Sequence, residues 1–148
     1  MTAGEAIERI AVPTLDAVAR CTEFAVTQAY EAGFSPARVH EVELVVEEVV
    51  ANICRYSYGD QPGSVEVCCR RSGPQIIFEF IDYGHPCDVL ALPSPDLSVD
   101  LEQREVGGLG MPMLRVLVDH ANYRREDARN ILSLTVRAAP KLGGAGES

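Results

Sequence analysis

Leu15, Val18, Ala19, Thr22, Ala25, Val26 and Ala29 recur at helical spacing, which predicts a helix over Leu15–Ala32 with Gly33 as its stop. A second helix begins at Ser35-Pro36, a capping residue followed by proline in the first turn, and runs to about Tyr56. Within it Val39, Val42, Val46, Val49, Ile53 and Tyr56 are separated by 3, 4, 3, 4 and 3 positions, one apolar stripe aimed at a core. Gly59-Asp60-Gln61-Pro62-Gly63 then turns the chain. Shorter apolar stretches predict strands at Ile7–Val12, Val65–Arg71 and Gln75–Ile81, the last two joined in a hairpin through Arg71-Ser72-Gly73-Pro74. Leu109–His120 reads as a third helix, with Pro112 tolerated in its first turn, and Tyr123–Arg125 and Ile131–Arg137 as a second hairpin.

The order β-α-α-β-β-α-β-β does not alternate strictly, so it predicts an α+β fold with an antiparallel or mixed sheet and helices on one face. No repeat or second domain is visible. The 148 residues read as one domain with its core at about residues 7–137 and a loose, glycine-bearing tail from Ala138 onward.

Composition narrows the function classes. Apolar residues at 47% and charged residues at 24% describe a globular chain, and 148 residues can bury a core without disulfides or metals. A formal net charge of −9 argues against nucleic acid and against an anionic membrane surface as partners. No apolar run reaches the length needed to span a bilayer, and no basic, apolar leader opens the chain. Five cysteines, Cys21, Cys54, Cys68, Cys69 and Cys87, without a C-x-x-C, read as reduced thiols of a cytoplasmic protein.

Three patterns carry candidate chemistry. On the second helix Glu41, Glu48, Asn52 and Arg55 form a polar stripe, with Glu48 and Asn52 one turn apart and able to point at one object. A carboxylate can accept a proton or orient a hydroxyl, and an amide oxygen is a hard ligand suited to magnesium. Asp82-Tyr83-Gly84-His85-Pro86 follows a strand directly, where a carboxylate beside a glycine-freed backbone could bond an exocyclic amine such as that of adenine. Gly107-Gly108-Leu109-Gly110 opens the third helix, where backbone N–H groups and the helix dipole favour an anion. Taken alone, these read as a solvated helix face, an Asp-Gly turn and a hinge. No lysine follows the glycines as in a P-loop.

In this order, E-E-V-V-A-N, D-Y-G-H-P and G-G-L-G-M-P-M-L-R-V-L-V-D-H-A-N-Y resemble the nucleotide-binding boxes of the GHKL ATPases. The short length and the last box are most similar to the anti-sigma factor serine/threonine kinases of bacterial partner switching, over roughly residues 35–137. The resemblance implies a two-layer α/β sandwich of the Bergerat type with a mixed, largely antiparallel sheet. It implies Glu48 as the base that activates an acceptor serine, Asn52 as the magnesium ligand, and Asp82 as the residue that binds the adenine amino group, with Gly84 beside it. Gly108 and Gly110 would be the lid glycines around the phosphates. Glu47 points about 100° away from Glu48 around the helix and is expected outside the site.

The implied activity is ATP- and Mg2+-dependent phosphorylation of a STAS-type anti-sigma antagonist, together with sequestration of a sigma factor and the option of a homodimer. Departures from the family pattern bear on transfer. The chain reads Arg55-Tyr56-Ser57-Tyr58 where the family has a His-Ala-Tyr triplet, His85 replaces a small residue, and the lid segment 90–106 carries Pro93, Pro95 and four acidic residues. A nucleotide-dependent binding module without transfer is the alternative. A detached histidine-kinase domain would need a phosphoacceptor histidine, and His40 and His120 both sit inside the ATPase unit. These two are expected in structural roles, and Arg115 at the surface or core edge.

Overall fold

The computed structural model describes residues 6–91 and 111–139. Its elements are β1 (Ala6–Pro13), α1 (Thr14–Glu31), α2 (Pro36–Asn52), a π-turn (Ile53–Tyr58), β2 (Ser64–Ser72), β3 (Gln75–Asp82), a short 3-10 turn (Val89–Ala91), α3 (Met111–Leu117), β4 (His120–Glu126) and β5 (Arg129–Arg137). The five strands form one sheet in the order β1-β2-β3-β5-β4. All four pairings are antiparallel, so the parallel component that a mixed sheet would need is absent from the described strands.

Local chemistry sets the element ends. The Ser35 hydroxyl accepts from the Arg38 N–H at 3.2 Å and caps α2, with Pro36 at the first helical position. Gly33 at φ +86° lets the chain leave α1, and the Phe34 N–H returns to the Ala29 carbonyl at 3.0 Å, as a glycine C-cap requires. The β4–β5 hairpin turns through Asp127 and Ala128, both left-handed at φ 51° and 62°, as a two-residue turn matched to strand twist demands.

Helices cover one face of the sheet. Ala17, Cys21, Ala25 and Ala29 of α1 and Val39, Val42, Val46 and Val49 of α2 pack in one buried cluster with Val65, Val67, Ile76, Phe78, Phe80, Leu132, Leu134 and Val136. Alternating strand positions such as Glu66, Cys68, Ile77, Glu79, Ser133 and Thr135 are only partly buried on the other face.

Two predicted helices are shorter than their apolar patterns. The α-helical part of the second ends at Asn52, and the π-turn takes over. A π-turn carries an extra residue, which breaks the 3.6-residue phase. Tyr56 therefore leaves the core stripe and stands 48% exposed, while Ser57 and Tyr58 turn inward. The third helix ends at Leu117, not at His120. The Asp119 N–H bonds the Thr135 carbonyl at 2.9 Å, and its carboxylate takes the Arg137 N–H at 2.8 Å and the Arg38 guanidinium at 3.0 Å. Those bonds start the sheet pairing of β4. Arg38 is itself buried and also donates to the carbonyls of Leu117 and Arg137 and to Glu41.

Candidate functional site

Glu48 and Asn52 are no solvated face. They are 4% and 2% exposed, and the Asn52 amide nitrogen donates to Glu48 Oε2 at 3.0 Å. Spacing of four on α2 makes the bond possible, and burial makes it strong, since a bond to a charged group contributes about 1.5–3 kcal/mol. It also settles the amide's orientation: with nitrogen committed to Glu48, the oxygen is the atom through which Asn52 can ligate a cation. Glu47 lines a groove between α1 and α2 with Glu43, Val18 and Thr22, on a different side of α2 from Glu48.

Asp82 ends β3 and is 1% exposed. Its Oδ1 accepts from the Gly84 N–H at 3.0 Å and from the Asn130 amide at 2.8 Å. Burial pushes the carboxyl above its ordinary range, while bonds from Asn130, Gly84 and Ser57 and the Arg125 charge pull it back. Gly84 sits where no side chain fits: a Cβ would lie 2.3 Å from the Ser57 carbonyl oxygen. That carbonyl in turn accepts the His85 N–H at 2.8 Å, so the segment after β3 is laid onto the π-turn that follows Asn52. Tyr58 fastens the same junction, donating to the Ser64 carbonyl at 2.7 Å and accepting from the Tyr83 N–H at 2.8 Å.

The structure thus lays the Asp82–Gly84 segment against Ser57, in the π-turn that directly follows Asn52. Gly107, Gly108 and Gly110, with the lid segment 92–106, lie outside the described residues. Among the remaining residues, His40 pairs with Glu43 at 3.3 Å on the surface, and His120 is exposed at the start of β4. Arg115 is exposed and directs its guanidinium to the Leu90 carbonyl at 3.5 Å. A cleft of about 360 Å3 opens beside Tyr83–Pro86 and is lined by Ser57, Tyr58 and Arg125. It does not include Glu48, Asn52 or Asp82, which are buried.

Asn130 and Ser57 belong to this cluster and are missed by sequence reasoning. Asn130 is buried directly opposite Asp82 in the β3–β5 register. Its one legible signal is an amide set directly before the apolar Ile131-Leu132 pair of β5.

The described residues thus hold a buried carboxylate–amide pair on α2 and a buried Asp at the end of β3, over an antiparallel sheet. Residues 11–136 match the histidine kinase-like ATPase domain, and the chain belongs to that family. Membership implies ATP as the nucleotide. The chain is also similar to the serine/threonine-protein kinase BtrW of Bordetella bronchiseptica (strain ATCC BAA-588 / NCTC 13252 / RB50). The two are 26% identical over 99 residues, which cover 66% of this chain and 70% of the relative. No helix among the described residues is long and apolar enough to cross a membrane.

Proposed function

We propose that the chain is an ATP-dependent serine/threonine protein kinase of the anti-sigma type, acting as one domain in the cytoplasm on a STAS-domain antagonist of a sigma factor. The buried Asn52–Glu48 bond at 3.0 Å carries the reading. A carboxylate held in one rotamer at the edge of a nucleotide site is placed to orient a hydroxyl and take its proton. The relative's description as a serine/threonine-protein kinase supports the same chemistry.

The donor set fits ATP and magnesium. The buried Asp82 carboxylate would receive the adenine amino group, and Gly84 would keep that approach clear. The Asn52 amide oxygen would hold magnesium, a hard cation that prefers oxygen ligands. When bound, the Mg2+–ATP pair supplies the activated phosphoryl group and the charge neutralisation its transfer needs. Gly108 and Gly110 would approach the phosphates through their backbone N–H groups. The net charge of −9 suits a protein partner better than DNA, and a homodimer belongs to the same proposal.

The test mixes the purified protein, labelled ATP, magnesium and candidate STAS-domain proteins, comparing wild type with Glu48→Gln. The glutamine keeps an oxygen for Asn52 and removes the charge. Transfer to a partner serine that vanishes in the variant supports the proposal. Nucleotide binding without transfer to any candidate favours a binding module, the reading to which Tyr56-Ser57-Tyr58 in place of His-Ala-Tyr points. No binding at millimolar ATP, unchanged by Asp82→Asn, refutes both.

A further inference from the structure

Asn130 spends its whole hydrogen-bonding capacity on the segment around Asp82. Its amide nitrogen donates to Asp82 Oδ1 at 2.8 Å and to the His85 carbonyl at 2.7 Å, with the Ser57 hydroxyl at 3.5 Å. Its amide oxygen accepts the Cys87 N–H at 3.1 Å and the Tyr123 hydroxyl at 2.6 Å. An amide has two donor hydrogens and two acceptor lone pairs, so no bonding capacity is left for a ligand. The residue is buried, and it faces Asp82 in the β3–β5 register.

Two consequences follow from that geometry. The Asn130 and Gly84 donors both fall on Oδ1 of Asp82, and the Ser57 hydroxyl also bonds the carboxylate, so its plane is fixed. The bonds to His85 and Cys87 hold the crossing segment on either side of Pro86. A buried group aimed by its neighbours discriminates sharply, because a ligand lacking the matching donor leaves it unpaired.

We infer that Asn130 is the positioning residue that gives the site its preference for a 6-amino purine, by orienting Asp82 rather than by touching the base. The inference rests on the proposed role of Asp82 toward adenine. Tyr123 supports it through its bond to the Asn130 oxygen.

The experiment measures the dissociation constants of ATP and of inosine triphosphate, which carries an oxygen where ATP carries the amino group. Wild type, Asn130→Asp and Tyr123→Phe are compared, with thermal unfolding confirming that each is folded at the assay temperature. Asn130→Asp keeps the shape and the acceptor for Cys87 and Tyr123, but removes the amide donors to both Asp82 and His85 and sets a second carboxyl against Asp82. Wild type is expected to prefer ATP by roughly 10- to 100-fold, the span of one buried charge-assisted bond. In Asn130→Asp the ratio should fall toward one, chiefly through weaker ATP binding, and in Tyr123→Phe it should fall part of the way. A general loss of structure would weaken both nucleotides alike and leave the ratio unchanged.

An Asn130→Asp protein that is folded and keeps the wild-type ratio overturns the inference while leaving ATP binding in place. If that variant does not fold, an unchanged ratio in Tyr123→Phe overturns it. Wild-type protein that binds ATP without preference, or binds neither nucleotide, overturns the inference together with the role of Asp82 beneath it.

Discussion

Gly84→Ala tests the close approach on which the site is built. The added Cβ would stand 2.3 Å from the Ser57 carbonyl oxygen, 2.6 Å from its carbon and 2.9 Å from the Ser57 Cβ. Ordinary contact begins near 3.4 Å, so the two backbones must part by about 1 Å. Neither side is a flexible side-chain tip. The opening stretches the His85 N–H to Ser57 carbonyl bond, now 2.8 Å, and pulls at the Asp82–Gly84 bond of 3.0 Å. Forced separation in a packed region costs roughly 1–3 kcal/mol, and a lost hydrogen bond adds about 1. The expected loss is therefore about 2–4 kcal/mol, or roughly 5–15 °C in Tm for a chain of this size. Urea and thermal unfolding followed by circular dichroism measure it, and ATP affinity should fall in parallel because Asp82 moves. Gly73→Ala is the control: Gly73 lies at φ +60° with nothing within 4 Å of a Cβ. It should cost only the left-handed penalty of about 1–2 kcal/mol and leave ATP affinity alone. A Gly84→Ala protein within about 0.5 kcal/mol of wild type, the range of an ordinary surface change, would refute the steric reasoning.

Other outcomes follow from single features. Because burial raises the Asp82 carboxyl above its ordinary value, the folded state favours its protonated form. Its contribution to stability is full below the ordinary aspartate range and is lost as pH rises through the raised value. Asp82→Asn should remove that decline while abolishing ATP affinity; urea midpoints that fall equally with pH in both proteins would contradict it. Ala128 at φ 62° has a side chain where glycine is preferred, so Ala128→Gly should stabilise by roughly 1 kcal/mol in denaturant unfolding. Arg38→Met leaves Asp119, two carbonyls and Glu41 without their common donor and should cost about 3 kcal/mol. With their thiols pushed up to about 12 by burial, Cys21 and Cys69 should resist a thiol reagent at pH 8 until the protein unfolds.

Much of the element map was legible along the chain, because local rules govern it. Ser35-Pro36 starts α2 and Gly33 ends α1 as their residue types require, and Gly73 lies in the expected β2–β3 turn. The spacing of four between Glu48 and Asn52 is a one-helix property, so their shared direction could be read without any tertiary contact. Where an element ends by long-range capture, the pattern misled. The third helix stops at Leu117 because Asp119 is taken by Arg38, 81 positions earlier, and by the β5 backbone. Tyr56 left the apolar stripe because the π-turn must bring Ser57 to the Asp82 segment.

Burial and register lie beyond local pattern altogether. One polar stripe contains the nearly inaccessible Glu48 and Asn52 and the exposed Arg55, and only packing against neighbouring elements separates them. Asn130 meets Asp82 because β5 inserts between β3 and β4, joining residues 48 positions apart. Side-chain spacing encodes the faces of a helix or strand, but which strands pair is settled by the packing of the whole sheet. The sequence by itself determined the elements though not all their ends, the Glu48–Asn52 phase and the Asp82-Tyr83-Gly84 pattern. The tertiary structure decided which of those groups leave water, and which buried amide aims the carboxylate that would read the base.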